Sequence, residues 1–309
     1  MTRTRPTAAQ GSDEDLFTPE NTAATLTRAS RTVGLDPEGA HLMRLGSNAV
    51  YRMNGSVVAR ISRKGADARE SERAIAVARW LESADYPAVR ALDVDQPVMV
   101  DGRPVTFWLA VTEGPDDWAT TDEIADVIRR LHSLEAPANL DLPPLMPFGK
   151  ASERINQSAA LESDDRGFLL QRLKDLQDEW SELDFELPSG IIHGDASVGN
   201  VLRDRNGTPT LMDLDSFATG PREWDLVLTA LYYEHFGWHT RSEYEAFART
   251  YGFDVMTWPG YPVMRDVREF LMVTWLAQKA DESEETAAEA TKRIETLRTG
   301  GSRRDWKPW

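Results

Sequence analysis

The chain has 309 residues, no cysteine and a formal net charge of −16, with 41% hydrophobic and 28% charged residues. That length can bury one large core or two ordinary ones, and the composition is that of a packed globular protein. The absence of thiols excludes disulfides, thiolate metal centres and a cysteine nucleophile, and the acidity argues against a nucleic-acid partner. The same field would draw a cationic small molecule, although an acidic surface also serves solubility alone.

Residues 1–15 read as a disordered leader rich in Thr, Arg, Gln, Gly, Ser and Asp. Polar and acidic residues follow Arg3 and Arg5 where a secretory signal would be apolar, and the longest apolar stretch, starting at Phe270, is too short to cross a bilayer. The expectation is a cytoplasmic protein with no membrane partner. A helix then starts at Thr18 as N-cap, with Pro19 in the first turn, and stops at Gly34. Short β-rich runs follow at 41–45, 50–53 and 57–61, then a helix at 70–81, then runs at 97–100 and 105–111. Asn54-Gly55 and Asp101-Gly102 supply hairpin turns between them. Thr112-Glu113-Gly114-Pro115 reads as a hinge.

Helices dominate beyond it. The spans 122–134 and 167–180 place apolar residues on one face, and further helices are predicted at 224–235, 241–251, 267–280 and 283–297. One β-rich island, 190–212, turns at Asn206-Gly207. The fold class is therefore α+β, in two lobes: a β-rich N-lobe over 16–111 and a mainly helical C-lobe over 112–309.

Within the island, the apolar run Ile191-Ile192 delivers Asp195 to a loop, and Asn200 follows five positions later. Phosphoryl transfer needs a carboxylate to orient and deprotonate the attacking hydroxyl, and a nearby neutral oxygen ligand to help hold magnesium. An Asp and an Asn at this spacing supply both. The next run, Pro209 to Met212, delivers Asp213 and Asp215. Magnesium favours carboxylates combined with substrate phosphates and water, which suits Asp213. Read as a strand, the segment turns Leu214 away and lets Asp215 share the cleft as a second metal ligand or a supporting group.

His193-x-Asp195 with Asn200, then Leu211-Met212-Asp213, then Gly220-Pro221-Arg222-Glu223-Trp224-Asp225-Leu226 resembles the signature of the aminoglycoside phosphotransferase and choline kinase superfamily. The resemblance extends to Leu45-Gly46-Ser47-Asn48-Ala49-Val50-Tyr51-Arg52 and Val57-Val58-Ala59-Arg60-Ile61. It implies a protein-kinase-like fold and transfer of the γ-phosphate of ATP or GTP, with Mg2+, to a hydroxyl of a small molecule such as an aminoglycoside-like antibiotic or a metabolite. Asp195 would be the catalytic base, Asn200 and Asp213 would bind magnesium, and Asp225 and His193 would be structural. Gly46, Ser47 and Asn48 would approach the phosphates, or form an ordinary hairpin turn. Arg60 stands where relatives usually carry a phosphate-binding Lys, or is a solvated strand charge. Its helix partner would be Glu72 or Glu70, or neither. Ser197 stands where eukaryotic protein kinases carry a Lys on the γ-phosphate and offers only a neutral hydrogen bond.

The acids Glu223, Glu234, Asp281 and Glu282 would form a wall for a cationic acceptor, or are solvated helix faces. The aromatic residues Tyr232, Tyr233, Phe236, Trp238, Tyr251, Trp258 and Tyr261 are a core or a stacking platform. Two other readings compete: a catalytically silent kinase-like accessory protein that binds a nucleotide or peptide, and a kinase acting on a natural-product precursor peptide.

Overall fold

The computed structural model of the protein describes residues 16–112 and 116–307. The leader predicted over 1–15 and most of the predicted hinge lie outside the described residues. Two compact units emerge: one runs to Asp116 and takes in Arg203–Asp215, the other comprises Asp117–Leu202 and the chain from Ser216 onward. The first unit thus reclaims a late segment that holds Asp213 and Asp215.

In the first unit, α1 (Pro19–Thr32) begins as its sequence dictates: Thr18 accepts from the Asn21 N–H at 3.3 Å and Pro19 occupies the first turn. Gly34, with φ of +73°, closes it. An antiparallel sheet follows, made of β1 (His41–Leu45), β2 (Asn48–Met53), β3 (Val57–Ser62), β4 (Val98–Val100) and β5 (Arg103–Leu109) in the order β1-β2-β3-β5-β4. The helix α2 (Ala68–Ser83) lies in sequence between β3 and β4 and starts on Asp67, whose carboxylate accepts from the Arg69 N–H.

The two-residue period of β2 and β3 sorts their side chains onto two faces. Ala49, Tyr51, Ala59, Ile61, Val105 and Phe107 turn to one face and form the core with Leu26 and Ala29 of α1. Arg60 therefore projects from the opposite face. Its register partner on β5 is Thr106, and Trp108 pairs with Val58 two places along.

The second unit is mainly helical. It contains α3 (Thr121–His132), α4 (Ala151–Gln157), α5 (Ser163–Ser181), β6 (Gly190–Ile192), β9 (Ala218–Gly220), α6 (Glu223–Leu231), α7 (Arg241–Tyr251), α8 (Tyr261–Gln278) and α9 (Glu284–Thr299). The chain passes to the first unit through β7 (Val201–Arg203), forms β8 (Pro209–Leu211) there, and returns at Ser216. β6 and β9 pair antiparallel, Ile191 opposite Thr219, which brings the segment after β6 and the start of α6 together. The helix predicted over 224–235 stops at Leu231, and Tyr232–Phe236 continue as a π-helical turn. Among the described residues no helix is long and apolar enough to cross a membrane.

Candidate active site

The segment after β6 holds Asp195 in a conformation set from α6. Gly194 has φ of +87°, and a Cβ on it would collide with the Ser216 carbonyl oxygen, so only glycine fits. The fully buried Asp225 carboxylate accepts from the His193 N–H at 2.7 Å and the Gly194 N–H at 2.8 Å. Its Oδ2 also meets His132 Nε2 at 3.0 Å, and His132 Nδ1 lies 2.7 Å from the Tyr251 hydroxyl. Against a carboxylate, Nε2 must be the donor. Burial alone would raise the Asp225 pKa, but the His132 hydrogen bond and the imidazoles of His132 and His193 hold it below the ordinary carboxylate value.

His193 is buried and receives the Asp195 N–H on Nδ1 at 3.2 Å, so its ring organises the loop from within. Asn200 Nδ2 donates to the Asp195 carbonyl at 2.7 Å and to Asp195 Oδ2 at 3.1 Å. With its amide nitrogen committed there, Asn200 has its carbonyl oxygen to offer a cation. Ser197 caps the short 3-10 turn Val198–Asn200 and accepts the Asn200 N–H on its carbonyl at 3.0 Å.

In the first unit, Arg60, Asp213 and Asp215 form one ionic group. Arg60 Nη1 lies 3.4 Å from Asp213 Oδ1, and Nη2 pairs with Asp215 Oδ2. Burial opposes the Arg60 charge, yet Asp215 and Asp213 more than offset it and raise its pKa. Asp215 is itself raised, chiefly by burial, with Arg60 pulling it back down. Asn48, its amide oxygen turned to Arg60, accepts from Nε at 2.9 Å and Nη2 at 2.6 Å and donates to Ser62 Oγ at 3.2 Å.

The strand predicted to carry both acids ends at Leu211. Asp213 adopts the left-handed region at φ of +54°, and a 3-10 turn, Leu214–Ser216, follows. Both carboxylates reach Arg60 because the backbone reverses at Asp213, with Leu214 buried, and not through strand alternation. A non-glycine residue held there costs about 1–2 kcal/mol, a strain of the kind that collects at functional positions.

A cavity of about 220 Å³ opens beside Arg60, lined by residues that include Ser47, Asn48, Ser62, Asp67, Glu70, Ser71, Thr106, Trp108 and Asp215. Gly46, Ser47 and Asn48 do make a tight connection between β1 and β2, with the Gly46 N–H bonded to the Asn48 carbonyl at 3.0 Å. Ser47 and Asn48 line the cavity. Of the two helix glutamates, Glu70 lines it and acts electrostatically on Asp215, while Glu72 is exposed and outside it.

The sequence reading missed His132 and Arg268; each is a lone polar residue on a buried helix face, a pattern that ordinarily means core. The acids of the predicted wall separate. Glu223 is fully buried and accepts from the Leu187 N–H at 2.7 Å, whereas Glu234 accepts from the Tyr261 hydroxyl at 2.8 Å and pairs with Arg265 at 3.3 Å. The aromatic residues pack largely on one another: Tyr232, Phe236 and Trp238 have ring centroids 4.6–5.8 Å apart, and Tyr233 stacks on Tyr244 at 5.3 Å.

A β-rich unit with Arg60 on its third strand, joined to a helical unit with Asp195 and Asn200 on its loop, defines a protein-kinase-like α+β fold. The chain belongs to the phosphotransferase enzyme family, whose model matches residues 45–267. No curated protein matches it in sequence. Among solved structures it is similar to the amicoumacin kinase hAmiN in complex with AMP-PNP, Ca2+ and Ami, at 14% identity and TM-score 0.69, over 92% of this chain and 95% of that one. It is also similar to a choline/ethanolamine kinase family protein from Mesorhizobium loti, at 14% identity and TM-score 0.60, over 91% and 93%. The aminoglycoside phosphotransferase APH(3'')-Id from Streptomyces rimosus matches at 23% identity and TM-score 0.56, over 80% and 98%.

Proposed function

We propose that the protein transfers the γ-phosphate of ATP or GTP to a hydroxyl group of a small molecule, with magnesium. The observation that carries this reading is the Arg60–Asp213–Asp215 group beside a hydroxyl-lined cavity. A guanidinium with carboxylates at hand is the donor set that phosphates and a hard divalent cation require together. Among the described residues no group of three or more His, Cys, Asp or Glu is arranged to hold a metal alone. Magnesium characteristically takes one or two carboxylates and completes its shell with phosphates and water, so the residues fit it.

In this reading Asp213 and Asn200 hold magnesium, with Asp215 as a further ligand or support, and Arg60, Ser47 and Asn48 contact the phosphates. The cation would neutralise charge on the transferring phosphoryl group. Asp195 accepts the proton of the acceptor hydroxyl, its carboxylate oriented by the Asn200 amide. Ser197 supplies a neutral hydrogen bond. Glu234 is engaged with Tyr261 and Arg265 and Glu223 is buried, which weakens the acidic wall as the basis for a cationic acceptor. The relatives named above are described with amicoumacin, choline or ethanolamine, and aminoglycosides, so the acceptor panel should span those classes.

The test is transfer of labelled γ-phosphate from magnesium ATP or GTP to aminoglycosides, amicoumacin-like amides, choline-like amines, nucleosides and peptides. Labelled product with one small-molecule class supports the proposal. Nucleotide binding without product across the panel would favour a silent accessory protein, and product on peptides alone would favour a precursor-peptide kinase.

A further inference from the structure

Arg268 on α8 is out of place by ordinary rules. Its side chain is buried, Nε has no partner, and among the described residues no carboxylate pairs with it. A lone guanidinium in the interior is costly, and burial draws its pKa below the ordinary arginine value, against the opposing pull of Asp195, Asp225 and Tyr232. Packing alone would be served as well by Met or Leu. The contacts it does make converge on one place. Its Cζ sits 4.1 Å from the centroid of the Trp224 ring, and Nη2 donates to the Gly194 carbonyl at 3.2 Å.

That carbonyl belongs to the peptide immediately before Asp195. It also accepts from Trp224 Nε1 at 2.9 Å, and the N–H of the same peptide donates to His193 Nδ1 at 3.2 Å. The preceding peptide is held by Asp225 through the Gly194 N–H. Gly194 is therefore fixed from α6 on its N–H side and from α6 and α8 together on its carbonyl side. Since Trp224 already satisfies the carbonyl, the second donor is not needed to avoid an orphaned acceptor. What it adds is direction: two donors on one oxygen fix the plane of the Gly194–Asp195 peptide, from which the Asp195 side chain springs.

We propose that Arg268 is a positioning residue for the catalytic loop, acting through the Gly194 carbonyl to set the direction in which Asp195 presents its carboxylate. The functional half of this proposal rests on the reading of Asp195 as the base. The structural half does not.

The experiment uses the full chain with Arg268→Met, similar in length but without donor or charge, and Arg268→Lys, which keeps both. Amide hydrogen exchange over residues 190–200 reports the loop. Hydrolysis of magnesium ATP and GTP, with water as acceptor, gives kcat and KM. Arg268→Met is expected to speed exchange of the 193–195 amides by about tenfold while α3 and α7 exchange as in the native chain. It should lower kcat by about 10²-fold, the scale of a misplaced catalytic group, with KM for nucleotide within about twofold. Arg268→Lys should recover most of both effects. Unchanged loop exchange in Arg268→Met would overturn the proposal, as would exchange rising equally in every segment with Arg268→Lys no better. If Arg268→Met does not fold, Arg268→Lys decides: loop exchange near native supports positioning by the donor and charge, and a loop as loose as the rest of the chain refutes it. If the native chain hydrolyses neither nucleotide, the exchange result alone decides whether Arg268 holds the loop.

Discussion

The two carboxylate-bearing segments are held by opposite means. Asp195 sits on a loop clamped by hydrogen-bond donors converging on a buried acid: Asp225 takes two backbone N–H groups and an imidazole, and Gly194 is confined sterically. Asp213 and Asp215 are held by one arginine through ion pairs, Asp213 in a strained backbone conformation and half exposed. A network closed in a low-dielectric interior is preorganised and resists exchange of partners. An ion pair at a cavity can trade partners, because an arriving phosphate can replace a carboxylate on the same guanidinium. Under the proposed function, the difference suits Asp195 as a base that must stay in place and Arg60 as a phosphate-binding group that must let go.

The comparison breaks most visibly at its buried end. Asp225→Asn leaves backbone donors unmatched and should destabilise the chain by about 3–5 kcal/mol, measured by denaturant unfolding. The effect should depend on pH with a definite sign. The folded pKa of Asp225 is depressed, so its stabilisation is whole above the ordinary Asp value of about 4 and is lost as pH falls through the folded value. The gap in melting temperature between native and Asp225→Asn chains should be constant above about pH 5 and should narrow below about pH 4. A gap that widens on acidification would show that the Asp225 carboxylate does not carry the loop.

At the exchangeable end the effects are smaller. Arg60→Gln should raise KM for magnesium nucleotide by about 10–100-fold, the worth of a charged hydrogen bond of about 1.5–3 kcal/mol, with little change in melting temperature. An unchanged KM would return Arg60 to an ordinary strand charge. Ser197→Ala should lower kcat by a factor of about 2–10, as expected for one neutral hydrogen bond. Glu72→Gln should alter KM by less than about twofold, because an exposed side chain outside the cavity has little to lose.

Much of this was legible in the sequence where local chemistry and global packing agree. The helix predicted over 241–251 matches α7 because a capping box on Thr240 and Glu243 opens it and the left-handed Gly252 closes it. The β-rich run predicted over 57–61 forms β3 and carries Arg60, and Ile191-Ile192 leads into the loop of Asp195 as expected. The failures fall where tertiary contacts override local signals. The seven-residue α4 is too short to show a period, and the π-helical turn after Leu231 has no sequence mark. The backbone reversal at Asp213 looked like a strand because Thr210, Leu211 and Met212 lead into it. The roles of His132 and Arg268 depend on partners 93 and 74 residues away in the chain, beyond any local pattern.

The most direct test of the phosphotransferase reading is calorimetric titration of magnesium ATP and GTP into the native chain, Asp195→Asn and Asp213→Asn, with γ-phosphate release followed on the same samples. Asp195→Asn is expected to bind nucleotide as the native chain does and to lose turnover by about 10²–10⁴-fold. Asp213→Asn is expected to lose the magnesium dependence of binding. Native-like turnover in Asp195→Asn, or nucleotide binding indifferent to magnesium in the native chain, would contradict that reading.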